Sequence, residues 1–345
     1  MRLSILDSRP SILSALRCCV IVALSLTAFP SVASAASPTN ETKVILVVGA
    51  PGEPEYGSNF VQQAALWKQA CMQANCCHVT IGLEDPGQTN DYERLKQVLE
   101  AEPKDSPFQL WLVLIGHGTF DGNDGQFNLR GPDVSATELA LWMRPFKRPV
   151  AVIDTTSSSA PFLTKLSATN RVIISATRSG NEQNFTRFGK YFADAISDPR
   201  ADLDKDGEVS LLEAFLTASR ETGEFYKVAG RLATEHALLD DNGDGLGTPA
   251  EWFQGLRAVK KPRDNAAVDG TLARQFRLIP SKEEQQLTPE QRIQRDALER
   301  DVLVLREKKS EMAKDNYYRE LERRLLKLAR FYETNSVVIP PAPVQ

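Results

Sequence analysis

The sequence predicts an α/β fold: a mostly parallel sheet with helices covering both faces. Three observations carry that expectation. First, Lys43–Val48 (KVILVV), Leu110–Ile115 (LWLVLI), Val150–Ile153 (VAVI) and Arg171–Ala176 (RVIISA) are apolar almost without interruption. A strand buried on both faces reads as such a run, whereas a half-exposed strand alternates. Second, the stretches between them, Asn59–Gln73, Tyr92–Glu102 and Thr137–Met143, place apolar residues at helical spacing. Strands alternating with helices imply crossover connections and parallel pairing. Third, breakers punctuate the elements: Gly49, Pro51 and Gly52 end the first run, and Pro103 stops the second helix. His78–Ile81 is a further, weaker strand. In sheets of this kind ligands sit beyond the carboxyl ends of the strands. Chemistry is therefore expected just after Ile115, Ile153 and Ala176.

The chain has 345 residues, room for about two domains. A formal charge of −4 provides no polybasic surface for nucleic acid or for an anionic membrane. Arg2, Arg9 and Arg17 lead into a short apolar run, Cys18–Phe29, and Ala33-Ser34-Ala35 follows. That order predicts a signal peptide over 1–35 and export to a periplasm or beyond the cell. The run is shorter than the ~20 residues of a spanning helix, and no later stretch is long enough. No membrane span is expected after cleavage. Cys71, Cys76 and Cys77 remain. Their spacing, with His78, matches no structural zinc pattern, and an exported protein can form a local bridge from Cys71 to Cys76 or Cys77.

Residues 43–197 form the expected α/β domain. From Phe185 to Phe253 the pattern is helical, interrupted by two Asp-rich loops, which predicts a helical region over 198–258. Residues 259–287, with Pro262, Asp264-Asn265, Gly270 and Pro280, read as a linker. Thr288, Pro289 and Gln291 make a capping signature. No Gly or Pro interrupts the chain from Glu290 to Thr334, where Ile293, Leu298, Val302, Leu305, Leu321, Leu325, Leu328 and Tyr332 form an apolar stripe. Residues 288–334 are expected to be either one coiled-coil helix or a hairpin broken near Asp315-Asn316. The stripe either packs on its own domain or makes a homo-oligomer. The Pro-rich residues 335–345 read as a disordered tail.

The Asp-rich loops carry chemistry. In the first, Asp202, Asp204 and Asp206 offer carboxylates at positions one, three and five, Glu208 a backbone carbonyl at seven, Ser210 a hydroxyl at nine and Glu213 a carboxylate at twelve. Gly207 sits at the sharp turn. The second repeats the scheme with Asp240, Asn242, Asp244, Leu246, Thr248 and Glu251. Alternating oxygens suit a hard cation that takes six to eight of them. Both loops resemble the EF-hand family, which implies calcium as cofactor. The second has fewer carboxylates and is expected to bind more weakly. Position eight is Val209 in the first loop but Gly247 in the second, so the usual strand pairing between hands is not expected to be regular.

A second resemblance lies in the first half. Leu110–Ile115 runs into Gly116-His117-Gly118, and Val150–Ile153 runs into Asp154-Thr155-Thr156-Ser157-Ser158-Ser159. One apolar strand ending in His-Gly, and the next ending where a Cys nucleophile would stand, resembles the caspase, metacaspase and legumain peptidases. The resemblance covers roughly 43–197 and implies a caspase-like fold. It puts His117 at the position of the catalytic histidine and Thr156 at that of the cysteine, with Ser159 in place of a glycine. A hydroxyl needs a placed base where a thiol is already partly ionised. Two functions stay open: a pseudo-peptidase acting by binding a protein or peptide, or a hydrolase pairing His117 with a nucleophile among residues 156–159. Arg178, after the fourth strand, is placed either to hold an acidic side chain of a ligand or to form an internal salt bridge.

Overall fold

The computed structural model describes residues 40–84, 87, 89–260 and 268–335. The expected signal peptide and residues 336–345 of the expected tail lie outside them. The chain runs β1 (Asn40–Val48), α1 (Pro54–Gln73), β2 (Cys76–Ile81), α2 (Asp91–Ala101) and β3 (Leu110–Ile115). A small sheet of β4 (Gly118–Phe120), β5 (Gly125–Phe127) and β6 (Val134–Ser135) follows, then α3 (Ala136–Met143), β7 (Val150–Asp154), α4 (Ala160–Leu166) and β8 (Arg171–Ser175). After α5 (Phe188–Ala195) and α6 (Leu211–Val228) come the short strands β9 (Leu238–Asp240) and β10 (Thr248–Pro249), and the helices α7 (Pro289–Glu307) and α8 (Lys314–Asn335).

The main sheet has seven strands in the order β10-β9-β8-β7-β3-β1-β2. From β2 to β8 all pairs are parallel, whereas β9 and β10 are antiparallel additions at one edge. The α/β class with a mostly parallel sheet is as expected. Alternation within each apolar run sorts the side chains onto two faces. Val44, Leu46, Trp111, Val113, Ile153 and Ile174 pack toward α1, α5 and α6. Ile45, Val47, Leu112, Leu114, Val152 and Ile173 pack toward α2, α3 and α4. Two buried faces are the reason these strands show no polar alternation.

Two expected boundaries differ in the structure. The described residues fall in one compact unit, so the divisions at 197/198 and 258/259 are not divisions of packing. Within 198–258 only the first loop leads into an α-helix, α6. The second loop turns between β9 and β10, because Leu238 and Leu239 pair with the open edge of β8 and so cover it. The described part of the linker, 268–287, is also docked: Ala273, Phe276 and Leu278 are buried in the core. Its Gly and Pro residues shape a path across the surface rather than a free tether.

The C-terminal segment is a hairpin. The capping box at Thr288 forms as expected. The break comes slightly earlier than expected, at a 3-10 turn over Lys308–Glu311. Tyr332 Oη donates to Glu299 Oε1 at 3.1 Å, and Gln291 near the start of α7 meets Asn335 at the end of α8. The hairpin sits back on the protein through Arg295, whose guanidinium pairs with the buried Glu284. Among the described residues no helix is long and apolar enough to cross a membrane.

Candidate functional site

The ends of β3 and β7 lie side by side, as the peptidase resemblance requires, with Leu114 in register with Asp154. Gly118 shows how close the two ends are. A Cβ there would meet Ser157 O at 2.1 Å and Thr156 Oγ1 at 2.7 Å, so only glycine fits. The hydroxyls of the β7 loop are mostly spent on internal bonds. Thr156 Oγ1 donates to Asp154 Oδ1 at 2.7 Å, and Ser157 Oγ donates to Gly118 O at 2.9 Å. Ser159 Oγ exchanges with Thr177 Oγ1 at 3.1 Å. Ser158 differs: its φ is +56° and its buried hydroxyl has no partner. His117 is half-exposed, with Nε2 3.2 Å from Pro51 O. Its ring packs edge-on against Tyr56 and Phe60, at centroid distances of 4.9 and 5.1 Å. Asp154 is fully buried, and burial pushes its carboxyl up to about 7 against the two bonds from Thr156. Arg178 takes the internal alternative, 3.2 Å from Glu182, which in turn accepts from His236.

The two Asp-rich loops are built alike. In the first, Asp202 Oδ1 accepts Lys205 N at 2.7 Å, Asp202 Oδ2 accepts Gly207 N at 3.1 Å, and Asp206 Oδ1 accepts Glu208 N at 2.9 Å. In the second, Asp240 Oδ1 accepts Gly243 N at 3.1 Å, Asp240 Oδ2 accepts Gly245 N at 3.1 Å, and Asp244 Oδ1 accepts Leu246 N at 2.8 Å. The offsets, one to four, one to six and five to seven, are identical. Gly207 at φ +91° and Gly245 at φ +73° make the turn that a side chain would resist. In the first loop one carboxylate oxygen each from Asp202, Asp204 and Asp206 lie within 4.8 Å of one another. Ser210 caps α6, and Glu213, three residues on, closes the box from a position 1% exposed. This all-oxygen donor set fits a hard divalent cation.

Charge around the first loop is managed by Arg274, 3.3 Å from Asp204, and Arg277, 3.4 Å from Asp206 and 2.7 Å from Glu208. Burial, then the neighbouring Asp206, raises the carboxyl of Asp204 above its usual range. In the second loop burial raises Asp240, Asp241 and Asp269, the last also under the charge of Asp241. The expected ligands of that loop are not all brought together. Asp240, Asn242, Asp244, Leu246 and Thr248 share it, but Glu251 is exposed on a 3-10 turn and lines a separate cavity with Arg220 and His236. There the cap is Pro249, not the position-nine residue, so Glu251 is the second helical residue instead of the third and is rotated out of the loop. Sequence reasoning missed Asp241, Asp269, Arg274 and Arg277. The Asp269-Gly270 pair reads only as a turn, since no spacing rule ties it to a loop so far upstream.

Of the cysteines, Cys71 and Cys76 are buried in mutual hydrogen-bond contact, which together with burial raises the Cys71 thiol, while Cys77 is exposed. Oxidation is therefore expected to join Cys71 to Cys76 and to leave Cys77 free for alkylation. The closed loop is short, so the gain in stability is about 2 kcal/mol. Peptide mapping after alkylation reads the pairing, and a bridge through Cys77 would contradict it.

No protein-family model matches the sequence, and no curated protein does. Solved structures with a similar chain path include the initiator caspase Dronc from Drosophila, at 14% identity and a TM-score of 0.41 over 62% of this chain and 83% of that one. Caspase-1 from Spodoptera frugiperda is similar at 6% identity and a TM-score of 0.36, over 59% of this chain and 87% of that one. Raptor from Chaetomium thermophilum matches at 10% identity and a TM-score of 0.33, over 47% of this chain and 18% of that one.

Proposed function

We propose that this chain is an exported calcium-binding protein of caspase-like fold, acting by holding a protein or peptide partner rather than by cleaving one. One observation carries the reading. Two loops far apart in sequence share the same three hydrogen bonds at the same offsets, and the first gathers three carboxylates within 4.8 Å. Calcium would be held in the first loop by Asp202, Asp204, Asp206, the Glu208 carbonyl and Glu213, with Ser210 acting through water. It would supply charge that fixes the loop to the start of α6, which packs against α5 beneath the sheet. A structural role at the high calcium of an extracellular space follows more naturally than a sensor role. Loss of catalysis is supported by the strand ends. Thr156 is 0% exposed and gives its proton to Asp154, and the Nε2 of His117 lies at Pro51 O, so both groups are engaged with partners other than each other.

The test is thermal. A ligand bound only by the native state stabilises by RT ln(1 + [L]/Kd), about 2.7 kcal/mol at a hundredfold excess. The melting temperature is expected to rise from chelator to millimolar calcium, and Glu213→Gln to remove much of the rise. A melting temperature indifferent to calcium sinks the proposal.

Ser158 favours a second reading. A non-glycine residue at positive φ in a strand-to-helix turn, with an unbonded hydroxyl, is the arrangement of a strained serine nucleophile. At 1% exposure it needs an opening motion before any substrate arrives. Covalent labelling of Ser158 by a serine-hydrolase probe would move the assignment to a hydrolase.

A further inference from the structure

We propose that the carboxylate closing the second calcium loop is Asp269, reaching in from the segment that follows, and that Glu251 has no part in the site. This rests on the calcium reading above and deepens it by reassigning a ligand. In the first loop the closing carboxylate is marked by what it accepts. Glu213 Oε1 takes the N–H groups of the second and third loop residues, Leu203 at 2.8 Å and Asp204 at 3.2 Å. Its Oε2 takes the hydroxyl of the ninth, Ser210, at 2.8 Å. The same three positions in the second loop are Asp241, Asn242 and Thr248, and all three donate to Asp269. Its Oδ1 takes Asp241 N at 2.9 Å and Asn242 N at 3.2 Å, and its Oδ2 takes the Thr248 hydroxyl. Even the division of donors between the two oxygens is the same.

The local fold explains why the ligand comes from elsewhere. In the first loop the ninth residue starts a helix, and the twelfth, one turn on, points back. In the second loop Thr248 and Pro249 are held in β10 by pairing with Leu239 and Leu238. The helical turn that follows therefore starts one residue late, at Ala250, and the twelfth residue turns outward. Burial supplies a separate indication. Asp240, Asp241 and Asp269 are 1%, 7% and 5% exposed, and among the described residues no lysine or arginine forms an ion pair with them. Charge buried without a counter-ion costs several kcal/mol per ion, and a cation at the loop would relieve it. Asp241 is committed elsewhere, accepting Gly270 N at 2.9 Å and Ala273 N at 2.7 Å. Asp240 and Asp269 remain for the loop. The site is thus split, complete only when the segment from Val268 is docked. That segment also carries Arg274 and Arg277 over the first loop, so calcium at the sheet edge would hold the strap that shields the other site.

Calcium titration calorimetry on the purified full chain, with melting curves in chelator and in calcium, tests this. The wild type is expected to show two sites. Glu213→Gln and Asp269→Asn should each weaken a different one by at least about tenfold, since even outer-shell changes cost 10–100-fold at metal sites. Glu251→Gln should leave both unchanged. Asp269→Asn should melt no lower than wild type in chelator, where one crowded carboxylate has been removed, and lower than wild type in calcium. A fall in chelator as well would make Asp269 a structural latch and overturn the proposal. Two sites that survive Asp269→Asn, or a second site lost in Glu251→Gln instead, overturn it while leaving the calcium reading intact. A wild type that takes up no calcium overturns both.

Discussion

Arg277→Ala is expected to destabilise the protein by about 3–5 kcal/mol, the usual cost of stranding one member of a buried ion pair. The Arg277 side chain is 12% exposed and its partner Glu208 is 7% exposed, with Nε 2.7 Å from Oε2. That contact is one of charge more than of an aligned hydrogen bond, since Nε and Nη1 of Arg277 satisfy no hydrogen-bond geometry. Without the guanidinium, Glu208 keeps only the Ser281 N–H as a partner among the described residues, and the buried Glu284 raises its cost further. The backbone of Arg277 still bridges to Ser210, so truncation tests the side chain and not the strap. Adding Glu208→Gln should recover most of the loss, because no unpaired charge then remains. Calcium should move the other way. Arg277 lies 3.4 Å from Asp206, so its removal relieves a cation beside the proposed first site and should enlarge the calcium-dependent gain in melting temperature. Urea unfolding in chelator gives the first quantity and melting in calcium the second. A loss under 1 kcal/mol in chelator would mean that water solvates Glu208 as well as Arg277 does.

Local physics made much of this fold legible. Val44–Val48 and Leu110–Ile115 are buried on both faces, and a continuous apolar run has few other homes. The capping box at Thr288 could be read because a cap and its partner lie three residues apart. The first loop was readable for the same reason: Asp202 through Glu213 fit within one turn-and-helix unit. What escaped depends on distant pairing. Leu238–Asp240 is too short to announce a strand, and becomes one because β8 has an open edge. Asp269 reaches the second loop across 29 residues from Asp240, through a segment whose Gly and Pro content reads as a tether. At the ends of β3 and β7 the sequence showed which residues stand there, but not which way their protons point. Thr156 could have faced His117. It faces Asp154 instead, a bond between residues two apart that no spacing rule singles out.

The burial of Asp154 leads to a strong pH dependence. Asp154 is fully buried and its carboxyl is pushed up to about 7 from an ordinary 3.8, burial outweighing the two hydrogen bonds from Thr156. An acid raised on folding binds more protons in the native than in the unfolded state between those two values. Stability from this group is therefore complete below about pH 4, falls as pH rises, and is fully lost above about pH 7. At ~1.4 kcal/mol per unit the span is on the order of 4 kcal/mol. Carboxyls lowered on folding, such as Glu138 with its bond from Ser135 N, contribute the opposite slope, so the wild-type curve alone does not isolate Asp154. The difference between variant and wild type does. Asp154→Asn keeps the carbonyl oxygen that accepts from Thr156 and cannot ionise. Near pH 5 it should match the wild type to within about 1–2 kcal/mol, since Asp154 Oδ2 has no partner and an amide there gains none. By pH 8 it should be the more stable protein, by several kcal/mol. A difference that stays flat from pH 5 to pH 8 would mean that Asp154 ionises without cost, which requires water or a cation at the strand ends and an open site in place of a sealed one.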